Sequence, residues 1–169
     1  LTLDNAVDGG FSVDVSTADN TATTADSDYT AVTNATETFA GTASETETIT
    51  ITIGGDTKVE ADELIDIAMS NLSPNTVDAS DIDITDTAQV TITNDDSATL
   101  TVDNVTRDEN ADGGATTDFT FTVTLSGAVD TGFTIDYGTS DIGAEAGTDY
   151  VAKTGQLSFA GTNAETQQF

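Results

Sequence analysis

The stretch "FAGTASETETITITIGGDTKVEADELIDIAMSNL" at residues 39–72 carries the pattern that decides the fold. Apolar and polar residues alternate in it, first over residues 49–53 and again over residues 65–69. A period of two places successive side chains on opposite faces of an extended strand. A Gly-Gly-Asp turn separates the two runs, so the stretch predicts two β-strands joined by an acidic loop.

The same alternation recurs along the rest of the chain, and no segment has convincing helical periodicity. Threonine fills many of the alternating polar positions, and this β-branched hydroxyl residue suits the solvent face of a half-buried sheet. We therefore predict an all-β fold, an antiparallel β-sandwich of short strands. The further predicted strands lie at residues 11–15, 90–92, 99–107, 118–126, 133–139 and 155–160, and residues 78–86 are predicted to form a strand or a hairpin.

The chain also repeats itself. "LTLDNAVDGGFSVDVSTAD" at residues 1–19 recurs as "VTLSGAVDTGFTIDYGTSD" at residues 123–141. "FAGTASET" at residues 39–46 recurs as "FAGTNAET" at residues 159–166, which is 120 residues further on. That period is too long for one turn of a solenoid and matches a whole domain, so we expect two tandem domains.

Both predicted domains are incomplete in this chain. Residues 1–97 would form a first domain that lacks its opening strand or strands, and residues 98–169 a second that lacks its last strands. The junction "NDDSATLTV" holds no flexible linker, which predicts a stiff joint. Half a sandwich would have open sheet edges, so we expect the missing strands to come from a continuation of the chain or from a neighbouring molecule.

The composition excludes several classes of function. Lysine and arginine number 3 against 31 aspartates and glutamates, for a formal net charge of −28, so nucleic acid and anionic membranes are not expected partners. The sequence contains no run of about 18 apolar residues, so no membrane span is predicted. Histidine and cysteine are absent, which removes the usual catalytic base and thiol, and we predict that the protein is not an enzyme.

The loop "GDTKVEADE" concentrates negative charge directly after the first alternating run. Asp56, Glu60, Asp62 and Glu63 stand there with a single base, Lys58. Carboxylate oxygens suit hard cations, so the loop could hold a metal ion. A solvated acidic loop that binds no ion is the alternative, because surface acidity also serves solubility.

The residues at 39–72, followed by "AQVTITNDD", resemble the Calx-beta domain, and "TSDIGAEAGTDY" with "GQLSFAGT" repeats its middle section in the second copy. The resemblance covers nearly the whole chain. It implies an immunoglobulin-like β-sandwich with calcium bound at one end. By the resemblance, the ligands match the following positions of this sequence: Asp19 and Asp141 in the central loop, Asp56, Glu60 and Glu63 in the acidic loop, Asp95 and Asp96 in the closing run, and Glu109 as the early glutamate.

Two positions depart from the family pattern. Gly55 and Asn94 stand where the exchangers of this family have further aspartates, which implies fewer ions or weaker binding. The resulting expectation is a structural and interaction segment of a long extracellular repeat protein, adhesin-like or matrix-like. Calcium would stiffen the array at its inter-domain ends, and the partners would be neighbouring domains or neighbouring copies of the chain. A module that binds a surface protein or glycan through its loops, and a filament subunit completed by strand exchange, are the alternatives.

Overall fold

The computed structural model describes residues 1–108 and 116–169. In these ranges it contains eleven β-strands and one short 3-10 helix. The strands are β1 Phe11–Asp19, β2 Ala35–Phe39, β3 Lys58–Val59, β4 Glu63–Pro74, β5 Thr87–Ile92, β6 Thr99–Val102, β7 Thr122–Ser126, β8 Ala128–Val129, β9 Phe133–Gly138, β10 Thr154–Phe159 and β11 Thr166–Gln168, with the 3-10 helix at Ala79–Asp81.

The chain divides into two compact units. Unit 1 comprises Leu1–Asp56 and Ala61–Thr93, and unit 2 comprises Thr57–Glu60 and Asn94–Phe169. Four residues of the acidic loop therefore belong to unit 2, although their sequence neighbours on both sides belong to unit 1. In the described part of the chain, no helix has the length and apolar character needed to cross a membrane.

Unit 1 is built on a four-stranded antiparallel sheet with the order β2-β1-β4-β5. β1 lies inside this sheet, where it pairs Phe11 with Phe39 of β2 and Val15 with Met69 of β4. The period of two is visible in the burial of β1, because Phe11, Val13 and Val15 are buried and the residues between them are half-exposed. The strands predicted from the alternation at residues 11–15 and 65–69 therefore form, as parts of β1 and β4.

Two apolar clusters hold unit 1 together. Phe11, Val13 and Phe39 form one, in which the rings of Phe11 and Phe39 stack with centroids 4.9 Å apart. Ile65, Ala22 and Tyr29 form the other, and Ile51, Val90 and Ile92 pack against it. The central strands β1 and β4 therefore contribute to these clusters, together with the edge strand β2 and the β1–β2 connection.

The prediction of a strand over residues 49–53 is wrong. The stretch at residues 46–53, which contains this segment, forms two isolated bridges, Thr2 with Thr46 and Tyr29 with Ile53. Its beginning bonds to the chain start and its end to the β1–β2 connection, as in the hydrogen bond from Thr30 N to Thr52 O. Alternation with a period of two indicates an extended backbone. A strand of a sheet must also pair continuously with one neighbouring strand, and this segment does not.

Residues 78–86 do not form the predicted strand or hairpin either. Hydrogen bonds from Asp81 N to Asp78 O and from Ile82 N to Ala79 O curl the first part into the 3-10 helix. The alternation is still used, since Ile82 and Ile84 pack against the cluster around Phe11. The pattern identified the buried side chains of this segment but not its backbone pairing.

Unit 2 contains two antiparallel sheets, β10-β9 and β11-β7-β6. Val123 and Leu125 of β7 and Leu157 and Phe159 of β10 share one buried cluster, so side chains from the two sheets meet in a common core. The rings of Phe133 and Phe159 stack across β9 and β10, with centroids 5.4 Å apart. This is the two-layer arrangement of a sandwich.

The repeated motif "FAGT" followed by "ET" has a structural cause. The carboxylate of Glu45 accepts hydrogen bonds from the backbone N–H groups of Ala40 and Gly41, at 2.8 and 2.9 Å. Glu165 does the same for Ala160 and Gly161 in unit 2. These bonds lower the pKa of the Glu45 carboxyl, and the bond from Ala40 has the largest effect.

Candidate metal centre

Two carboxylates of unit 1 lie close together. Oxygens of Asp28 and Glu63 are within 4.8 Å of one another, and both residues are half-buried. Asp28 belongs to the connection between β1 and β2, and Glu63 is the first residue of β4. Two negative charges at this separation repel, and a cation between them would remove the repulsion.

Backbone hydrogen bonds fix the two segments that carry this pair. Leu64 N donates to the hydroxyl of Thr21 at 2.7 Å, and Ala22 N donates to the carbonyl of Leu64 at 3.0 Å. Thr23 N donates to one carboxylate oxygen of Asp28 at 2.7 Å. The connection from β1 is thereby tied to the start of β4, which holds the two carboxylates near each other.

The predicted ligands Asp19 and Asp141 occupy equivalent positions in the two repeats and accept equivalent hydrogen bonds. Asp19 accepts from the phenol of Tyr29 at 2.7 Å and from Thr24 N at 3.1 Å. Asp141 accepts from the phenol of Tyr150 at 2.6 Å. The bond from Tyr29 is the largest cause of a lowered pKa at Asp19. Each aspartate thus organises its own loop, and metal ligation by either stays a prediction.

Glu60 lies in unit 2, where Lys58 neutralises it. The ammonium of Lys58 is 2.5 Å from the Glu60 carboxylate and 3.0 Å from that of Asp130. These two carboxylates raise the pKa of Lys58, the hydrogen bond to Glu60 most strongly. The one base of the acidic loop is therefore placed between two carboxylates that are 70 positions apart in the sequence.

Asn94 gives the closing run a role that an aspartate could not fill. Its side-chain oxygen accepts from Glu60 N at 2.9 Å, and its amide nitrogen donates to the carbonyl of Asp96 at 3.0 Å. A carboxylate could accept the first bond but could not donate the second. Asparagine at position 94 thus replaces a negative charge with a side chain that joins Glu60 to Asp96 by two hydrogen bonds inside unit 2.

The remaining predicted ligands are spread over different parts of the chain. Asp56 is exposed in unit 1, and Asp95 is exposed in unit 2, where Asp96 is half-buried. Glu109 lies outside the described residues. Of the eight predicted ligands, the structure thus places Glu63 beside another carboxylate of its own unit, Asp28.

Asp28 was missed by the sequence reasoning. A signal was present, because the dipeptide Asp28–Tyr29 recurs as Asp149–Tyr150 in the second repeat. Glu145 N donates to Asp149 at 2.9 Å, as Thr23 N donates to Asp28. The repeated "DY" therefore marks a loop that is built the same way twice.

Comparison with known proteins assigns the family. The model of the Calx-beta domain matches residues 2–96 and again residues 97–168. The chain belongs to the Calx-beta domain family. The resemblance seen in the sequence is confirmed, and so is the all-β, immunoglobulin-like β-sandwich class with two tandem Calx-beta repeats.

Among solved structures, the chain is similar to the crystal structure of the calcium-binding domain CBD12 of CALX1.1. The two are 20% identical, and the match covers 99% of this chain with a TM-score of 0.46. The chain spans less than two thirds of that structure, 64% of its length. The search of curated proteins finds no match.

Proposed function

We propose that the two Calx-beta repeats are a calcium-binding structural segment of a long extracellular repeat protein. The proximity of the Asp28 and Glu63 carboxylates, within 4.8 Å, is the observation that carries the proposal. Family membership supports it, as does a net charge of −28, which favours the approach of any cation.

The donor set fits calcium better than a transition metal. Both side chains offer carboxylate oxygens, and the chain has no histidine or cysteine to supply softer ligands. Calcium takes six to eight oxygens, so the other predicted ligands of Calx-beta unit 1, Asp19 and Asp56, remain candidates for further positions. With few carboxylates at the centre, we expect weak binding, with a dissociation constant of about 10⁻⁴ to 10⁻³ M, as in extracellular calcium modules.

The biological setting is part of the proposal. A strongly acidic protein without basic patches is suited to an extracellular or cell-surface location, where calcium is abundant, and has no basic footprint for nucleic acid. Its partners would be neighbouring domains of the same array or neighbouring copies, with adhesion as the role and calcium stiffening the array. We expect no catalysis, because the chain lacks histidine and cysteine.

Thermal unfolding of the whole chain in chelator, in millimolar calcium and in magnesium tests calcium binding. One site filled at 100 times its dissociation constant adds about 2.7 kcal/mol to the free energy of unfolding. Asp28→Asn and Glu63→Gln should each abolish most of the calcium-dependent shift. Asp81→Asn, which removes an exposed carboxylate elsewhere in unit 1, is the matched control and should keep it.

Two results would contradict this assignment. Equal melting of the parent protein in calcium and in chelator would remove calcium binding altogether. A calcium shift of the same size in Asp28→Asn, Glu63→Gln and the control would keep calcium binding but remove this pair as its site. Small-angle scattering with and without calcium tests the stiffening separately, because a change in maximum dimension is expected only if calcium alters the shape of the chain.

A further inference from the structure

The acidic loop contains a positively charged side chain of its own. The sequence has three basic residues, Lys58, Arg107 and Lys153, and Lys58 is the one that stands in this loop. Its ammonium lies 2.5 Å from a carboxylate oxygen of Glu60 and 3.0 Å from one of Asp130. Glu60 is also one of the predicted calcium ligands. In this structure its counter-ion is therefore the ammonium of Lys58.

Backbone hydrogen bonds hold the segment that carries Lys58. β3 pairs in parallel with β8. Asp130 N donates to the carbonyl of Val59 at 2.9 Å, and Glu60 N donates to the side-chain oxygen of Asn94 at 2.9 Å. All of these residues belong to unit 2. The contact between the ammonium and its two carboxylates is thus supported by the backbone on both sides of Lys58.

The ion pair of Lys58 with Glu60 is accessible to a competing cation. The side chains of Lys58 and Glu60 are 35% and 22% exposed, and that of Asp130 is 55% exposed. Solvent screens ion pairs at such positions, so each contributes little free energy. A doubly charged ion attracts a carboxylate about twice as strongly as an ammonium does at the same distance. Asp130 gives the ammonium a second acceptor, which it keeps when Glu60 is taken.

We propose that Lys58 regulates the calcium affinity of the acidic loop by holding Glu60 until calcium displaces the ammonium. The inference rests on the proposed calcium binding. In the form described here the ammonium contacts Glu60 and Asp130, and in the calcium-bound form it contacts Asp130 while Glu60 turns to the ion. Lys58 therefore lowers the affinity for calcium, and Asp130 partly offsets this effect because it accepts the released ammonium.

The lysine side chains report the displacement directly. The chain has two lysines, Lys58 and Lys153, so a protein with ¹³C-labelled lysine gives two sets of side-chain NMR signals. During a calcium titration of the 169-residue protein, the signals of Lys58 should shift and then saturate, and those of Lys153 should stay unchanged. Unchanged Lys58 signals in the calcium-saturated protein would overturn the proposal.

Calorimetric titration measures the effect on affinity. Lys58→Met should tighten calcium binding by about fivefold, because a partly exposed ion pair no longer competes for Glu60. Lys153→Met removes a positive charge from another part of unit 2 and is the matched control. Its affinity should stay close to that of the parent protein. Melting in chelator checks that both variants are folded.

The second acceptor of the ammonium gives an effect of opposite sign. Asp130→Asn should weaken calcium binding, since an ammonium that loses Asp130 holds Glu60 more firmly. In the Lys58→Met background the same substitution should have little effect, because the ammonium is absent. Equal losses in the two backgrounds would show that Asp130 acts only through its general charge, which would overturn the proposed role of the ion pair.

The affinities also separate this inference from the proposed function. Equal calcium affinity of the parent protein and of Lys58→Met would overturn the inference and leave calcium binding intact. Calcium binding by neither protein would overturn both. Calcium binding by Lys58→Met alone would support the inference, and it would contradict calcium binding by the parent protein.

Discussion

The phenol of Tyr29 donates a hydrogen bond to the carboxylate of Asp19 at 2.7 Å, and it connects the end of β1 to the connection that leads to β2. Tyr29 is 4% exposed, so its ring is packed in the core of unit 1 while its hydroxyl reaches a surface carboxylate. Tyr150 and Asp141 repeat the arrangement in unit 2. The position of Asp19 is therefore set from the core of unit 1, and the same hydrogen bond recurs at Asp141 in unit 2.

Replacing Tyr29 by phenylalanine should raise the pKa of Asp19 toward its ordinary value, because the phenol is the main cause of the lowered pKa. A lowered carboxyl pKa stabilises the fold above the unfolded-state pKa, and this contribution is lost as the pH falls through the folded-state pKa. The variant should therefore be less stable at pH 7 and lose less stability on acidification. Carboxyl titration by NMR and melts at pH 7 and pH 3 measure both effects.

Tyr150→Phe is the control for that experiment, since it deletes the equivalent phenol from the other repeat. It should leave the titration of Asp19 unchanged. If Asp19 titrates identically in the parent protein and in Tyr29→Phe, the hydrogen bond does not determine its pKa.

The glutamate clamps of the two FAGT turns should make stability sensitive to acid. Backbone N–H groups lower the pKa of Glu45 and of Glu165, with the bonds from Ala40 and Ala160 as the largest causes. The stabilisation that this gives is present above the ordinary glutamate pKa of about 4.3 and is lost as the pH falls through the lowered values.

Glu45→Gln should therefore flatten the fall in melting temperature between about pH 5 and pH 3, and lower the melting temperature at pH 7. Glu37→Gln, which changes a carboxylate on β2 outside the turn, is the matched control. A pH profile of Glu45→Gln that runs parallel to that of the parent protein would show that the clamp does not contribute.

Truncating Ile65 of β4 should lower the free energy of unfolding more than truncating Ile142 of unit 2. Ile65 is 0% exposed, whereas Ile142 in unit 2 is 100% exposed. Ile65→Ala should lower the free energy of unfolding by about 2 to 5 kcal/mol, because it removes buried methylene groups and leaves a cavity. Ile142→Ala should change it by less than about 0.5 kcal/mol. Urea unfolding of both variants measures the difference, and similar losses would contradict the assigned core.

Periodicity predicted the strands whose alternation coincides with continuous pairing, as in β1 and β4. It failed at residues 49–53, because the chain just before this run bonds to the chain start and the end of the run bonds to the β1–β2 connection. No local pattern records which neighbour a strand will find. The repeat was visible in the sequence because both copies keep the residues that make the same hydrogen bonds in their turns. Alternation thus predicts which side chains are buried more reliably than it predicts which strands pair.

The sequence predicted the type of ligand at the candidate site, but only some of the residues that form it. Clustered carboxylates near Glu63 indicated a cation site, but Asp28 stands 35 positions away, and the fold alone brings it there. The pairing of Lys58 with Asp130 was equally hidden, because it depends on residues 57–60 joining unit 2. Contacts between distant positions are set by tertiary packing, which a single sequence does not reveal.

Gly55 offers a direct way to strengthen the proposed calcium site. A side chain there would meet nothing within 4 Å, and the residue does not adopt the left-handed backbone conformation that favours glycine. The position therefore accepts an aspartate, the residue that the family pattern has there. Gly55→Asp should tighten calcium binding by about tenfold, equivalent to about 1.4 kcal/mol, because it adds a carboxylate to the acidic loop.

Two matched glycines separate this effect from general changes in charge or folding. A side chain at Gly54 would lie 2.0 Å from the carbonyl of Ser27, so Gly54→Asp should destabilise unit 1 and not improve calcium binding. Gly143 in unit 2 has open space as well, and Gly143→Asp adds the same charge away from the acidic loop. Calorimetric titration of all three variants should show tighter binding for Gly55→Asp alone. Equal affinities in Gly55→Asp, Gly143→Asp and the parent protein would exclude this loop from the site, since an added carboxylate beside a bound calcium ion cannot be without effect.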